Sequence, residues 1–247
     1  MHYFVSDIHL GSGDATEQRR VERAFLDFLQ KIENDAETLF LVGDIFDFWF
    51  EYGEVVPKGF VRVLGRLAEL SDRGVRVIML TGNHDMWVGN YLTQECGISL
   101  FTEPRTFSLA GKEVFVAHGD NMNINGQPVL RLMNTMFRSR GLRKVASWLV
   151  HPDLFMRFGK WWSGKSRKSH SMEQITPSSL GFLIDYARDY KQANPETDYI
   201  LFGHMHYAHD HNSDGLRVLF LSDWEQQCPT YAVLDCEGNF SLKTFDL

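Results

Sequence analysis

Cysteine is scarce in this chain, with Cys96, Cys228 and Cys236 the only three in 247 residues. An odd number at wide spacing argues against a disulfide framework and fits reduced thiols in a cytoplasmic protein. No run approaches the ~20 apolar residues that a membrane-spanning helix needs. The opening stretch MHYFVSDIHL has no basic leader, and Asp7 interrupts its apolar run, so no signal peptide is expected. An excess of positive charge is also missing: 25 Lys and Arg face 32 Asp and Glu, a net charge of −7. That balance argues against nonspecific nucleic-acid binding. Internal repeats and low-complexity tracts are absent too. What is present is apolar material, 44% hydrophobic and 13% aromatic, enough to bury one substantial core. The chain is therefore expected to form a single domain over residues 1–247 with an insert inside it.

The charge is unevenly spread. From Arg131 to His170 ten basic residues meet one acid, Asp153, so this segment carries +9 and the remaining 15 basic and 31 acidic residues carry −16. Such asymmetry within one chain points to an anionic partner for the basic part. The same stretch is rich in Trp, Phe and Met and interrupts the pattern around it, which places a helical, basic and aromatic insert at 121–175.

Elsewhere, apolar strand-like runs alternate with helical patterns. HYFVS, TLFLVG and VRVIML read as strands. EQRRVERAFLDFLQKI, with Val21, Phe25, Phe28 and Leu29 at helical spacing, reads as a helix between the first two. PKGFVRVLGRLAELSDRG reads as the next helix, started by Pro57 and stopped by Gly74. Parallel strands joined by right-handed crossovers are the economical arrangement. Shorter strands follow residue 97, with AGK as a hairpin turn between RTFSLA and KEVFVAH.

The ends of five strands share one feature. YFVSDIHLG ends in Asp7 and His9, LFLVGDIFDFW in Asp44 and Asp47, VIMLTGNHD in Asn83, His84 and Asp85, VFVAHGD in His118 and Asp120, and YILFGHMHYAH in His204, His206 and His209. Each is a metal-capable or proton-transferring group, and in open α/β sheets ligands bind just outside the carboxyl ends of strands. Convergence on one site is expected. Carboxylates, imidazoles and one amide, without thiolate, suit Mn²⁺, Fe²⁺ or Zn²⁺ and not a cysteine-built zinc cage. Asp7, His9, Asp44, Asn83, His118, His204 and His206 are too many for one ion with an open position. They suffice for two if a carboxylate bridges, an arrangement suited to in-line displacement at phosphorus.

In this order and spacing, DIH, GDIFD, GNHD, HGD and GHMH resemble the five-block signature of the calcineurin-like metallophosphoesterase superfamily. The resemblance implies an α/β four-layer sandwich, two mixed β-sheets face to face with helices outside. It implies that Asp7, His9 and His206 hold one divalent ion and Asn83, His118 and His204 a second, with Asp44 bridging; Mn²⁺ is the expected metal. His84, beside a ligand Asn, would face the phosphoryl group as a catalytic residue. Asp47 would orient its ring, and Asp85 would anchor the turn.

GDIFDFWFEYGEVVPKGF, TGNHDMWV and the insert ending WWSGKSRKSH look like the branch that cleaves the diphosphate of UDP-2,3-diacylglucosamine in lipid A synthesis. That resemblance implies a nucleotide-linked glycolipid substrate and release of UMP and an acylated sugar 1-phosphate. Asn83, His84, Ser166, Arg167 and His170 are the expected substrate-binding residues. Trp148, Phe155, Phe158, Trp161, Trp162, Met133, Met136 and Met156 would receive acyl chains, and the insert's cations would meet an anionic membrane surface. In the better-known branch an arginine stands where this chain has His84, so the resemblance is to a sister branch. A general phosphodiesterase or nucleotide phosphohydrolase of the superfamily is the alternative. A nuclease would need an extended basic groove, which the charge outside the insert opposes.

Overall fold

The computed structural model describes residues 1–122, 139–171, 176–225 and 228–246, without the side chains of 140, 143 and 165–171. Strands β1 (His2–Val5), β2 (Thr38–Val42) and β3 (Arg76–Leu80) run parallel, as do β3 and β4 (Ser99–Phe101). On the other flank of β1, β10 (Thr230–Leu234) and β11 (Phe240–Thr244) pair antiparallel, giving the order β11-β10-β1-β2-β3-β4. A second sheet has the order β5-β6-β7-β9-β8, built from β5 (Arg105–Leu109), β6 (Lys112–Ala117), β7 (Tyr199–Phe202), β8 (His209–Ser213) and β9 (Leu216–Phe220). β6, β7 and β9 are parallel, while the edge strands β5 and β8 are antiparallel to their neighbours. Both sheets are thus mixed.

The period-2 alternation of side chains sorts each strand's residues into layers. Phe4, Phe40, Val42, Ile78 and Leu80 of the first sheet pack with Val114, Val116, Leu201 and Leu219 of the second, forming the middle of the sandwich. Their neighbours Val5, Leu39, Leu41, Val77 and Met79 face the other way, onto α1 (Ala15–Ile32) and α2 (Val61–Asp72). Phe115, Ala117, Ile200 and Phe202 cover the second sheet's outer face together with Leu183 and Ala187 of α6 (Gly181–Ala193). A strand buried on both faces is apolar throughout, which is why these runs show no alternation in sequence.

α1 begins where Asp14 accepts hydrogen bonds from the backbone N–H groups of Thr16 and Glu17, and it buries Val21, Phe25, Phe28 and Leu29. α2 departs from expectation. It starts at Val61 and not at Pro57, because Gly59 (φ 103°) and Phe60 (φ 58°) take left-handed conformations that no right-handed helix can include. The 57–60 segment becomes a loop beside the carboxyl ends of the strands. Short α3 (Tyr91–Cys96) precedes β4.

Within the expected insert, two helices are described, α4 (Arg140–Leu149) and α5 (Pro152–Ser171). Ala146, Phe155, Met156 and Trp162 pack onto a separate apolar cluster of Phe48, Phe50 and Trp87, which lies on the loops after β2 and β3. Met133 and Met136 lie outside the described residues.

Candidate metal centre

β1, β2, β3, β6 and β7 each end one to three positions before a candidate ligand, and the backbone there is unusual. Asp7, His9, Asp44, His204 and His206 all have positive φ, between 50° and 69°. Left-handed conformations are uncommon for non-glycine residues and cost of order 1–3 kcal/mol each, so five at one locus mark a place where the surrounding fold imposes a geometry. Two motif glycines show what that geometry demands. A Cβ on Gly82 would collide with Asp44 Oδ1, and one on Gly203 would collide with Ser6 Oγ and crowd Asp7 Oδ2. The GNHD and GHMH turns therefore approach the carboxylates of the neighbouring strands more closely than any side chain permits.

All seven candidate ligands converge. Asp7, His9 and His206 offer ligand atoms within 4.8 Å of one another, and so do Asp44, His118 and His204. His9 Nε2 lies 3.3 Å from His206 Nε2, and His206 Nε2 lies 3.2 Å from Asp7 Oδ1. His118 Nε2 is 3.2 Å from Asp44 Oδ2 and 3.3 Å from Asn83 Oδ1. Asp44 also falls in a third group with His9 and His84, so its carboxylate stands between the other two. His209 opens β8 and belongs to none of these groups.

The two carboxylates are held alike. Asp7 Oδ2 accepts the backbone N–H of His204 at 2.9 Å, and Asp44 Oδ1 accepts that of His84 at 2.8 Å. Each has its second oxygen turned to the imidazoles, and Asp7 Oδ1 is fully buried with His206 Nε2 at 3.2 Å. A buried carboxylate oxygen facing imidazole nitrogens is a group that a cation satisfies. Outer partners orient the rings in the same sense. His118 Nδ1 lies 3.0 Å from the Val42 carbonyl, which can only accept, so Nδ1 carries the proton and Nε2 is left as a donor atom for a metal. His206 Nδ1 has Asp223 Oδ2 at 3.5 Å. The residues present therefore fit divalent cations.

The carboxylates and imidazoles of the cluster shift one another strongly. Burial opposes charge on Asp7 and Asp44, yet His206 beside the first and His118 beside the second outweigh it and hold both carboxyls below their ordinary range. Burial likewise lowers His206, but Asp7 and Asp223 push it up to about 9. His9 goes the other way, driven by burial to about 3. Asp85, buried and close to Asp44, is pushed up to about 7. Its oxygens accept the N–H groups of Ile45 and Gly82, both at 2.8 Å, which fixes the GNHD turn against the turn after β2.

His84 stands at the edge of the cluster, its Nε2 4.0 Å from Asp44 Oδ2. Asp47 meets the ring through its backbone carbonyl, 3.0 Å from Nδ1, and its carboxylate takes a short hydrogen bond from Ser163, a residue of α5. Ser163 and Asp223 were not singled out by sequence reasoning. Neither belongs to a block, and their partners are 79 residues away or more in the first case. The side chains of Ser166, Arg167 and His170, on the last turns of α5, lie outside the described residues.

A cavity of about 210 Å³ opens beside Asp47, between the loop carrying Phe48, Tyr52 and Val56 and the α5 residues Met156 and Lys160. On α4 and α5, Trp148, Leu149, Leu154 and Trp161 are more than half exposed.

Comparison with known proteins follows the same lines. Residues 3–208 match the family described as Calcineurin-like phosphoesterase. A UDP-2,3-diacylglucosamine hydrolase of Porphyromonas gingivalis is 37% identical over 246 residues, covering 94% of this chain and 93% of that protein. Proteins of the same name from Azotobacter vinelandii (29% identical, 90% of each chain) and Neisseria gonorrhoeae (27% identical, 96% of this chain and 95% of the other) are also similar.

Proposed function

The chain belongs to the calcineurin-like phosphoesterase family, and from that premise we propose that it is a metal-dependent hydrolase that cleaves the diphosphate of UDP-2,3-diacylglucosamine to UMP and 2,3-diacylglucosamine 1-phosphate. The observation that carries the reading is a single juxtaposition. A carboxylate–imidazole cluster suited to phosphoryl chemistry adjoins an apolar cavity whose rim bears Lys58 and Lys160. A diphosphate joined to acyl chains needs both halves. Relatives named for that activity match the chain along nearly its whole length.

In this proposal Asp7, His9 and His206 would hold one divalent ion, Asn83, His118 and His204 would hold a second, and Asp44 would be shared between them. Mn²⁺ is the metal we favour, with Fe²⁺ and Zn²⁺ compatible with the same donors. Bound there, two such ions would supply a water of lowered pKa and positive charge for the phosphoryl oxygens. The protein's own groups do the rest. His84 directs Nε2 to the phosphoryl group, where it stabilises developing charge or protonates the leaving oxygen. Asn83, Ser166, Arg167 and His170 bind diphosphate and sugar. The insert over 121–175 forms part of one domain with the core and serves as the substrate cap.

The exposed apolar side chains of α4 and α5 alternate with Lys144, Arg157 and Lys160, the composition of a surface that rests on anionic lipid headgroups. No helix among the described residues is long and apolar enough to cross a membrane. We propose that the protein acts in the cytoplasm, peripherally on the inner membrane. Basic residues near such a surface contribute about 1 kcal/mol each. Reversing Arg143, Lys144, Arg157 and Lys160 to Glu is expected to weaken binding to anionic vesicles by at least ~10²-fold and to reduce lipid-substrate hydrolysis far more than that of bis-nitrophenyl phosphate. Equal losses on both substrates would leave the insert a structural role only. The function itself is tested by thin-layer analysis of the metal-loaded protein with UDP-2,3-diacylglucosamine: UMP and the sugar 1-phosphate should form, and chelator should stop them. Turnover of bis-nitrophenyl phosphate alone would point to a general phosphodiesterase.

A further inference from the structure

We propose that Ser163, carried into the site by helix α5, is the positioning residue for His84, so that the insert sets the orientation of the group acting on the phosphoryl centre. The inference rests on the role proposed above for His84. Ser163 lies in the middle of α5, near the exposed residues Arg157, Phe158, Lys160 and Trp161, yet it is 4% exposed. Most buried hydroxyls are partnered, and this one has two partners, both from the core. Its Oγ donates a short hydrogen bond to Asp47 Oδ1 and lies 2.9 Å from His84 Nδ1.

The protons on this path are determined. The Asp47 carbonyl, 3.0 Å from Nδ1, can only accept, so Nδ1 carries a hydrogen and shares it between that carbonyl and Ser163 Oγ. Ser163 accepts from the ring and passes its own hydrogen to the Asp47 carboxylate. The chain of donors runs from His84 through Ser163 to Asp47. It fixes the ring plane and leaves Nε2 directed toward Asp44, from which it lies 4.0 Å. The Asp47 carbonyl alone fixes one point on the ring, and rotation about that bond is stopped by the second partner. A ring held at one contact samples orientations that misplace Nε2, and misplacement of a catalytic group by even ~1 Å is worth ~10²-fold.

The helix is seated by a second feature one turn earlier. At Gly159 a Cβ would collide with the ring of Phe48, a buried residue next to Asp47. Without a side chain there, α5 lies directly on Phe48, and Phe155 and Met156 pack on the same cluster. One turn onward this contact delivers Ser163 to Asp47 and His84. The helix that lines the apolar cavity through Met156 and Lys160 is thus the one that supplies the hydroxyl. Substrate contacts along α5 and the orientation of His84 are mechanically joined.

The test is a double-mutant cycle on the metal-loaded enzyme with UDP-2,3-diacylglucosamine as substrate, measuring kcat, KM, bound metal and melting temperature for S163A, H84A, S163A/H84A and S163T. We expect S163A to lower kcat by ~10- to 10²-fold, the effect of losing an outer partner that orients a functional group, with KM and both metals retained. S163T, which keeps the hydroxyl, should recover most of that loss. In the H84A background the Ser163 substitution should cost less than about twofold, since the residue acts through the histidine. Losses that multiply in the double variant would overturn the proposal while leaving His84 its role. An H84A enzyme that turns over like the parent would overturn both. A raised KM with kcat intact would make Ser163 a substrate contact and also end the proposal.

Discussion

Asp44→Asn is expected to lower turnover by at least ~10³-fold, the range seen when a principal charge-stabilising group is removed. The substitution is nearly isosteric, and the oxygen that accepts the His84 N–H at 2.8 Å can be kept, so the turn should survive. What changes is the oxygen 3.2 Å from His118 Nε2, which becomes an amide with hydrogens directed at the cluster. Asp44 shares ligand-atom groups with His118 and His204 on one side and His9 and His84 on the other, so one lost charge weakens both halves of the centre. Metal analysis should show reduced content alongside the lost rate. Full activity of the parent enzyme in chelator, with no metal bound, would end the two-ion reading.

His84→Ala should cost ~10²- to 10⁴-fold in kcat, the usual contribution of a positioned acid or base. Its signature differs from that of Asp44→Asn. The ring's Nε2 is 4.0 Å from Asp44 Oδ2, farther than the cluster's closest donor contacts, and its Nδ1 is engaged by Asp47 and Ser163. Both ions should therefore stay. The structure also groups His84 with His9 and Asp44 as a possible ligand set, which makes the metal content decisive. Loss of ions with the side chain would reassign His84 from the phosphoryl group to the metal.

Much of the site is legible in the sequence because strand ends are local features. A run such as LFLVG followed by DIFD announces that Asp44 leaves the sheet at its carboxyl edge, whatever the other strands do. Five such statements, each local, can be compared without knowing the topology. Sheet assignment is another matter. β1, β2, β3, β6 and β7 are buried on both faces, so periodicity suggests only parallel strands joined by helices, and the division into two mixed sheets rested on the five-block resemblance. The start of α2 was misplaced because Pro57 is a good first helical residue, whereas the left-handed backbone at Phe60 leaves no mark in residue type. Ser163 and Asp223 were missed for a related reason: a serine in a basic helix and an aspartate in a loop gain meaning only from contacts made across the fold.

The seven candidate ligands divide by sheet. Asp7, His9, Asp44 and Asn83 follow strands of the first, and His118, His204 and His206 follow strands of the second. Each proposed ion would take donors from both, so it would act as a clasp closing the open end of the sandwich, where hydrophobic packing gives way to polar turns. A cation that binds only the folded state at 100 times its dissociation constant adds about 2.7 kcal/mol. For a chain of this length that corresponds to a rise in melting temperature of about 5–10 °C. Stripping the metal should then cost heat resistance as well as activity, and the variant Asp44→Asn should melt near the stripped parent whether or not metal is supplied.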